Sequence, residues 1–152
     1  MKRSADIVVI TLTSPLLIGI YEDNRLVKSF QTEEPTSEAL PLIFEKILED
    51  YLPQRLFFAR GPGSFMAIKI SYIFLRTVSI AYKIPLLATD GFAFNDNAPI
   101  RAMRNLYFIK NGDEITTKRF EESVESVFRL PATLNVNIFS TKNEPLYLLP
   151  AV

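Results

Sequence analysis

The sequence contains no cysteine and no histidine. Without cysteine there can be no disulfide, no thiolate nucleophile and no zinc site built on cysteine ligands. Without histidine the chain lacks the one side chain whose ordinary pKa, about 6.5, lies near physiological pH. An acid or base would therefore have to be an Asp, Glu or Lys whose pKa is shifted by burial or by a close partner. We accordingly expect a protein that is not an enzyme and uses no cofactor.

The chain also lacks an excess of charge of either sign. Its 17 basic and 17 acidic residues cancel, so it has no electrostatic reason to bind nucleic acid by itself. Residues 1–6 lead into an apolar run too short for a signal peptide. No stretch reaches the roughly 18 apolar residues of a membrane span without a charge or a proline. We expect a cytoplasmic protein with no membrane partner.

Apolar residues are plentiful, at 48% of 152 residues, with 12 Phe and 6 Tyr. This is enough for the core of one domain or of two small lobes. Polar turns separate three β-branched, apolar runs at 5–13, 16–21 and 26–31, which predicts an antiparallel meander. The elements expected after it are helix 36–52, strand 55–59, helix 64–83 and strand 84–89. The order β-β-β-α-β-α-β predicts the α/β class with a mixed sheet.

After residue 97 the composition changes, which divides the chain into an N-terminal lobe, 1–97, and a smaller C-terminal lobe, 98–152. Asn111-Gly112 predicts a hairpin between residues 106–110 and 114–120. The remaining expected elements are a short helix at 121–129, a strand at 136–140 and an extended segment at 145–149.

The helix at 64–83 carries more apolar surface than one sheet can cover. Lys69, Arg76 and Lys83 share one narrow stripe, and nearly every other residue is apolar or small. A helix lying on a sheet needs an apolar stripe of about a third of its circumference, whereas this helix is apolar over about three quarters. Leaving four large side chains in water would forgo about 1.5–3 kcal/mol each, comparable with the whole stability of a small domain, about 5–15 kcal/mol.

We therefore predict a helix-on-helix protein interface, with cover by helix 36–52 and the second lobe as the alternative. Two such helices can supply the roughly 800 Å² per partner of a standard interface. The acidic stripe of helix 36–52 and the basic stripe of helix 64–83 would orient a partner more than hold it. The residues expected to contact the partner are Leu40, Ile43, Ile47, Met66, Ile70, Ile73, Phe74 and Thr77.

A glycine loop joins strand 55–59 to the second helix. Its residues are Arg60, Gly61, Pro62, Gly63, Ser64 and Phe65. Backbone N–H groups at a helix start can bind phosphate. The loop matches neither the phosphate-binding P-loop nor the dinucleotide pattern, and Pro62 removes one donor. A sharp turn capped by Ser64 is the favoured interpretation, as is a turn at Asp90-Gly91, although Asp90 ends a strand where α/β sheets place ligands.

The run ARGPGSFMAIKISYIFLRTVSIAYKIPLLATDGFAF, residues 59–94, resembles the signature of the TsaB/YeaZ family. The segment TSEALPLIFEKIL, residues 36–48, resembles that family's HSERLLPLIDELL, and the ending EPLYLLPAV resembles its closing PLYLR. The resemblance covers residues 5–95 well and the remainder weakly. The chain is shorter than typical members, which makes the C-terminal lobe look reduced.

The resemblance implies an actin-like ATPase (ribonuclease H-like) fold with a reduced C-terminal lobe. Family members pair with TsaD, a catalytic relative of the same fold, in the bacterial system that makes threonylcarbamoyladenosine on tRNA. TsaE, an ATPase, joins the complex. The TsaB member docks through its two N-terminal helices, which correspond here to 36–52 and 64–83. The implied function is a non-catalytic subunit that binds and activates TsaD and meets tRNA only through the complex.

The chain differs from the family pattern at the positions that a nucleotide-binding site would use. The family's first strand ends in Asp-Thr-Ser, whereas this chain has Thr11-Leu12-Thr13, and Met66-Ala67 replaces Thr-Gly in the loop. A hydroxyl cannot replace a carboxylate as a hard-cation ligand of comparable strength, so we expect no ATP site. Two alternatives remain: a small ATPase or peptidase-like enzyme that uses the glycine loop, and a homodimer that uses the same two helices.

Overall fold

A computed structural model of the chain describes residues 1–148. The elements of its larger half are β1 (Arg3–Ile10), β2 (Leu16–Glu22), β3 (Arg25–Thr32), α1 (Thr36–Asp50), β4 (Tyr51–Ala59), α2 (Phe65–Tyr82) and β5 (Leu86–Thr89). The five strands form one sheet in the spatial order β3-β2-β1-β4-β5. Strands β1, β2 and β3 are antiparallel neighbours, whereas β4 and β5 run parallel to β1. The predicted mixed sheet and the predicted chain order of its elements are confirmed.

The central strands are buried on both faces, as their near-continuous apolar sequences require. In β1 the side chains of Ile7 and Val9 face the core that α1 and α2 cover. Val8 and Ile10 face the opposite core, which the chain after residue 127 closes with Phe139 and its neighbours. The two helices therefore lie on one face of the sheet and an irregular layer lies on the other.

A second, three-stranded antiparallel sheet is built from β6 (Ile100–Met103), β7 (Leu106–Asn111) and β8 (Glu114–Arg119). The hairpin predicted at Asn111-Gly112 is confirmed, and Gly112 has φ 63°, which glycine adopts at little cost. Strand β6 was not predicted. The lobe boundary predicted at residue 97 lies between the two sheets, but the chain after β8 returns to the larger one.

The first helix ends two residues earlier than predicted, because Tyr51 already belongs to β4. This strand includes Pro53, which cannot donate a hydrogen bond to a ladder. The pairing with β1 shifts register here, from Ala5 opposite Pro53 to Asp6 opposite Arg55. This β-bulge accommodates the proline within a strand.

Two predicted elements of the C-terminal part are absent from the described residues. Residues 121–129 form no helix, since the backbone N–H of Val127 donates to Asn95 Oδ1 at 2.6 Å and that of Val124 to the Tyr107 hydroxyl at 3.0 Å. Residues 136–138 form a 3₁₀ helix instead of a strand. The extended segment predicted at 145–149 is irregular as far as residue 148, and Leu149 lies outside the described residues.

Candidate functional site: the outer face of α2 and the glycine loop

Only one side of α2 packs on the sheet. Its buried residues are Ile68, Ser71, Leu75, Val78 and Ser79. On the opposite side Met66, Ile73 and Ile80 are 59%, 55% and 66% exposed. Together with the half-buried Ile70 and the exposed Thr77 they form one row, the α2 seam: Met66, Ile70, Ile73, Thr77 and Ile80.

The residues of the α2 seam follow one another in steps of four and three. This spacing keeps them on one face of a helix and is the pattern by which two helices pack against each other. Within residues 1–148 no element covers Met66, Ile73 or Ile80. The apolar surplus predicted for this helix is therefore present on the folded surface. Ile80 was not among the residues predicted to contact a partner, although it lies seven residues after Ile73 and the seven-residue spacing could have revealed it.

The structure corrects the predicted interface on α1. Leu40, Ile43 and Ile47 are buried in the core between the helix and the sheet, so they are not accessible to a partner. The sequence pattern shows which residues share a helix face, but it does not distinguish a face on the sheet from a face on a partner. The exposed apolar residue of α1 is Leu42, at 60% exposure, and it was not predicted.

The two helices lie side by side. The Phe74 ring packs edge-on against the Phe44 ring of α1, with centroids 5.1 Å apart. Phe74 is therefore half-buried inside the chain and lies at the margin of the surface rather than in its centre. Thr77 donates its hydroxyl proton to the backbone carbonyl of Ile73 at 2.8 Å, so its methyl group completes the apolar row.

The glycine loop uses its backbone groups within the chain. The Arg60 N–H donates to the Thr89 carbonyl at 3.0 Å, and the Arg60 carbonyl accepts from the Leu146 N–H at 2.8 Å. The Ser64 N–H donates to the Leu12 carbonyl at 3.2 Å. Ser64 stands at the start of α2 as predicted, but its hydroxyl makes no capping hydrogen bond. The loop ties the sheet, α2 and the C-terminal segment together.

Both glycines of the loop are required by close contacts. Gly61 has φ 122°, a conformation that other residues rarely adopt, and a Cβ there would lie 2.7 Å from the Leu146 carbonyl oxygen. A Cβ on Gly63 would lie 2.9 Å from Leu12 Cβ. These contacts favour the structural interpretation of the loop over a phosphate cradle.

A groove of about 210 Å³ lies where α1 and α2 begin, next to the end of β1. Its lining includes Glu33 and Glu34 and no Lys or Arg residue. At its base Thr11 is buried and shares a hydrogen bond with Ser71, with the two hydroxyl oxygens 2.5 Å apart. The groove therefore has an uncharged floor and acidic residues at its rim, and both features are unfavourable for binding a nucleotide phosphate.

Asp90 is a helix cap, as the turn interpretation predicted. Its carboxylate accepts from the N–H groups of Phe92 at 3.0 Å and Ala93 at 3.3 Å. Lys110 Nζ lies 2.5 Å from the other carboxylate oxygen. The Asp90 carboxylate is thus bound by the N–H groups of the 3₁₀ helix Gly91–Phe94 and by Lys110 of the hairpin.

By length and composition alone α2 would also fit a membrane span, with 18 residues and a mean hydropathy of 1.3. The helix nevertheless connects two parallel strands of one sheet, β4 and β5. Its Leu75 is fully buried against that sheet. The position of α2 in the topology makes it a crossover helix of the domain.

Comparison with solved structures identifies the fold. YeaZ from Pseudomonas aeruginosa aligns over 82% of this chain and 66% of its own length, with a TM-score of 0.61 and 16% sequence identity. An uncharacterized protein with similarity to peptidase YEAZ from Pseudomonas aeruginosa aligns over 76% of this chain and 63% of its own, with a TM-score of 0.59 and 20% identity. Neither protein-family models nor curated proteins give a match.

The protein is therefore a mixed α/β protein with a five-stranded sheet and two helices on one face. Its fold is that of YeaZ, as the resemblance of residues 59–94 predicted. The chain spans just under two thirds of the length of each of these two structures.

Proposed function

We propose that this chain is a TsaB/YeaZ-type subunit with an actin-like ATPase fold, without catalytic activity of its own. It binds and activates a TsaD-type catalytic subunit for the threonylcarbamoyl modification of adenosine in tRNA. A TsaE-type ATPase joins the same complex, which works in the cytoplasm. The chain contacts tRNA only indirectly, through the complex. The YeaZ fold and the signature-like run at residues 59–94 support this assignment.

The observation that carries the proposal is the exposed α2 seam. Full burial of an Ile or Met side chain stabilises by about 1.5–3 kcal/mol. Met66, Ile73 and Ile80 each leave more than half of their surface in water. Docking a partner helix along the seam would bury these side chains and recover several kcal/mol of hydrophobic free energy.

The geometry of the loop and groove counts against the alternative of a nucleotide-using enzyme. The Arg60 and Ser64 N–H groups are engaged by carbonyls of the chain itself. Thr11 stands where the resemblance places a metal-supporting Asp in catalytic relatives, and it is paired with Ser71. The nearest groove is lined by Glu33 and Glu34, which would repel phosphate.

The proposal is tested by co-expression of the chain with the TsaD-type subunit of the same organism. Ile73→Asp places a charge in the centre of the seam, and we expect it to abolish the heterodimer and the tRNA modification while leaving the thermal unfolding of the isolated chain unchanged. Val127→Asp is the matched control, because Val127 is 43% exposed and lies in the irregular segment after β8, outside α1 and α2. A heterodimer that forms normally with Ile73→Asp would refute the proposal.

Calorimetric titration with ATP separates the proposal from the enzyme alternative. We expect no saturable binding to the isolated chain. Micromolar affinity that is lost in Lys69→Ala would favour the enzyme instead. Sizing of the chain with and without the TsaD-type subunit then distinguishes the heterodimer from a homodimer that uses the same face.

A further inference from the structure

Two charged rows border the apolar seam, and the first lies on α2. Lys69 and Arg76 are exposed and seven residues apart on α2, and the exposed Lys83 directly follows the helix as its C-cap. At 100° per residue Lys69 and Arg76 lie on the side of the helix away from Phe74. Phe74 contacts α1 through Phe44. The basic row therefore runs along the flank of α2 that is remote from α1.

The second row lies on α1. Glu38, Glu45 and Glu49 are exposed and lie in one row on the side of the helix opposite the buried Leu40 and Ile47. The outward surface of the two helices thus has an acidic row on α1, the apolar seam beside it, and the basic row at the far edge. Both signs of charge are present, but they are separated in space.

Neither row is neutralised within residues 1–148. The ion pairs of the described chain are Arg3–Glu22, Arg55–Asp6, Lys110–Asp90 and Arg129–Asp96, and none includes a residue of either row. Lys46, the one cation on the exposed side of α1, lies at its far margin beside Phe30 and Glu34. The rows are therefore available to a partner.

We propose that the partner of this face is a pair of amphipathic helices with the reverse order of charges: acidic side chains opposite α2 and basic side chains opposite α1. Packed helices have axes about 8–10 Å apart, and the Debye length at physiological salt is about 8 Å, so each row acts mainly on the partner helix next to it. A partner rotated by 180° about the normal to the interface would place like charges together. The order of charges thus selects one orientation of the docked subunit. This inference rests on the proposed function.

The test measures association rates with the purified TsaD-type subunit at low and at physiological salt. Lys69→Glu/Arg76→Glu reverses the basic row, and Glu45→Lys/Glu49→Lys reverses the acidic row. We expect each double variant to associate about tenfold or more slowly at low salt, with a smaller effect at higher salt. Lys2→Glu/Lys142→Glu makes the same change in net charge as the first variant at two exposed lysines elsewhere, and it should associate at the wild-type rate.

The combined quadruple variant separates the order of charges from net charge. It has the net charge of the wild type but the opposite order, so it should remain slow. A wild-type rate for the quadruple variant, or for both double variants while Ile73→Asp still blocks assembly, would overturn the charge-order inference and leave the proposed function standing. A chain that binds no TsaD-type subunit and instead forms a dimer lost in Lys69→Glu/Arg76→Glu would identify a second copy as the occupant and overturn both.

Discussion

Thr11 and Ser71 share a buried hydrogen bond, with their hydroxyl oxygens 2.5 Å apart. Ser71 also donates to the Ala67 carbonyl at 2.7 Å, one turn earlier in α2. Since a hydroxyl has one proton, Thr11 then donates to Ser71. The pair joins the end of β1 to the crossover helix by a neutral contact, at the position where the family resemblance would place a carboxylate.

Replacing Ser71 by Ala should destabilise the fold by about 1–3 kcal/mol, because it leaves the buried Thr11 hydroxyl without a partner. The double variant Thr11→Val/Ser71→Ala should lose less, since both polar groups are then gone. Urea unfolding of the two variants and of Thr11→Val measures these differences. Equal losses in Ser71→Ala and in the double variant would show that the hydroxyl of Thr11 finds another partner.

Ile47→Ala and Ile73→Ala should have opposite consequences for folding and assembly. Ile47 is buried between α1 and the sheet, so its truncation should cost about 2–5 kcal/mol of folding free energy. Ile73 is exposed, and its truncation should change the folding free energy by no more than about 0.5 kcal/mol. Denaturant unfolding measures both variants. Ile73→Ala should instead weaken binding of the TsaD-type subunit, and a large folding loss there would mean that α2 packs differently.

Burial raises the pKa of Tyr21, whose hydroxyl donates to the Pro131 carbonyl at 2.6 Å. The unfolded chain releases this proton near its ordinary pKa of about 10, whereas the folded chain retains it. Stability is therefore complete below about pH 10 and declines as the pH rises above that value.

In Tyr21→Phe the decline between about pH 10 and pH 11.5 should be shallower, because the group that resists ionisation is absent. At neutral pH the variant should be less stable by about 1 kcal/mol, the contribution of one hydrogen bond. Thermal unfolding as a function of pH measures both effects. An identical alkaline decline in the variant would assign the effect to other groups.

Gly61→Ala should destabilise the chain more than Gly112→Ala. Both glycines have positive φ, but a Cβ on Gly112 meets no atom within 4 Å, whereas a Cβ on Gly61 meets the Leu146 carbonyl oxygen at 2.7 Å. The backbone conformation alone should cost Gly112→Ala about 1–2 kcal/mol. Chemical denaturation of the two variants tests the difference. Equal losses would mean that the C-terminal segment moves away from the loop at little cost.

The sequence by itself determined the order of strands and helices as far as residue 89, the hairpin at Asn111-Gly112 and the apolar surplus of residues 64–83. These follow from local patterns: the alternation of apolar residues, the positions of glycine and proline, and the number of apolar side chains that one helix face can bury. The family resemblance of residues 59–94 predicted the YeaZ fold, which the comparison with solved structures confirmed.

The tertiary structure alone decided which apolar faces remain in water. The sequence pattern places Leu40 and Ile47 on one side of α1, but it is the same whether that side packs on a sheet or on a partner. In this fold that side packs on the sheet. Residues 121–129 form no helix because their N–H groups are bound by Asn95 and Tyr107, which lie 32 and 17 positions from their respective partners in the chain. Contacts between residues so far apart leave no trace in a local pattern. The α2 seam, from Met66 to Ile80, could be identified only from the structure, because the structure shows that the sheet covers the other side of the helix.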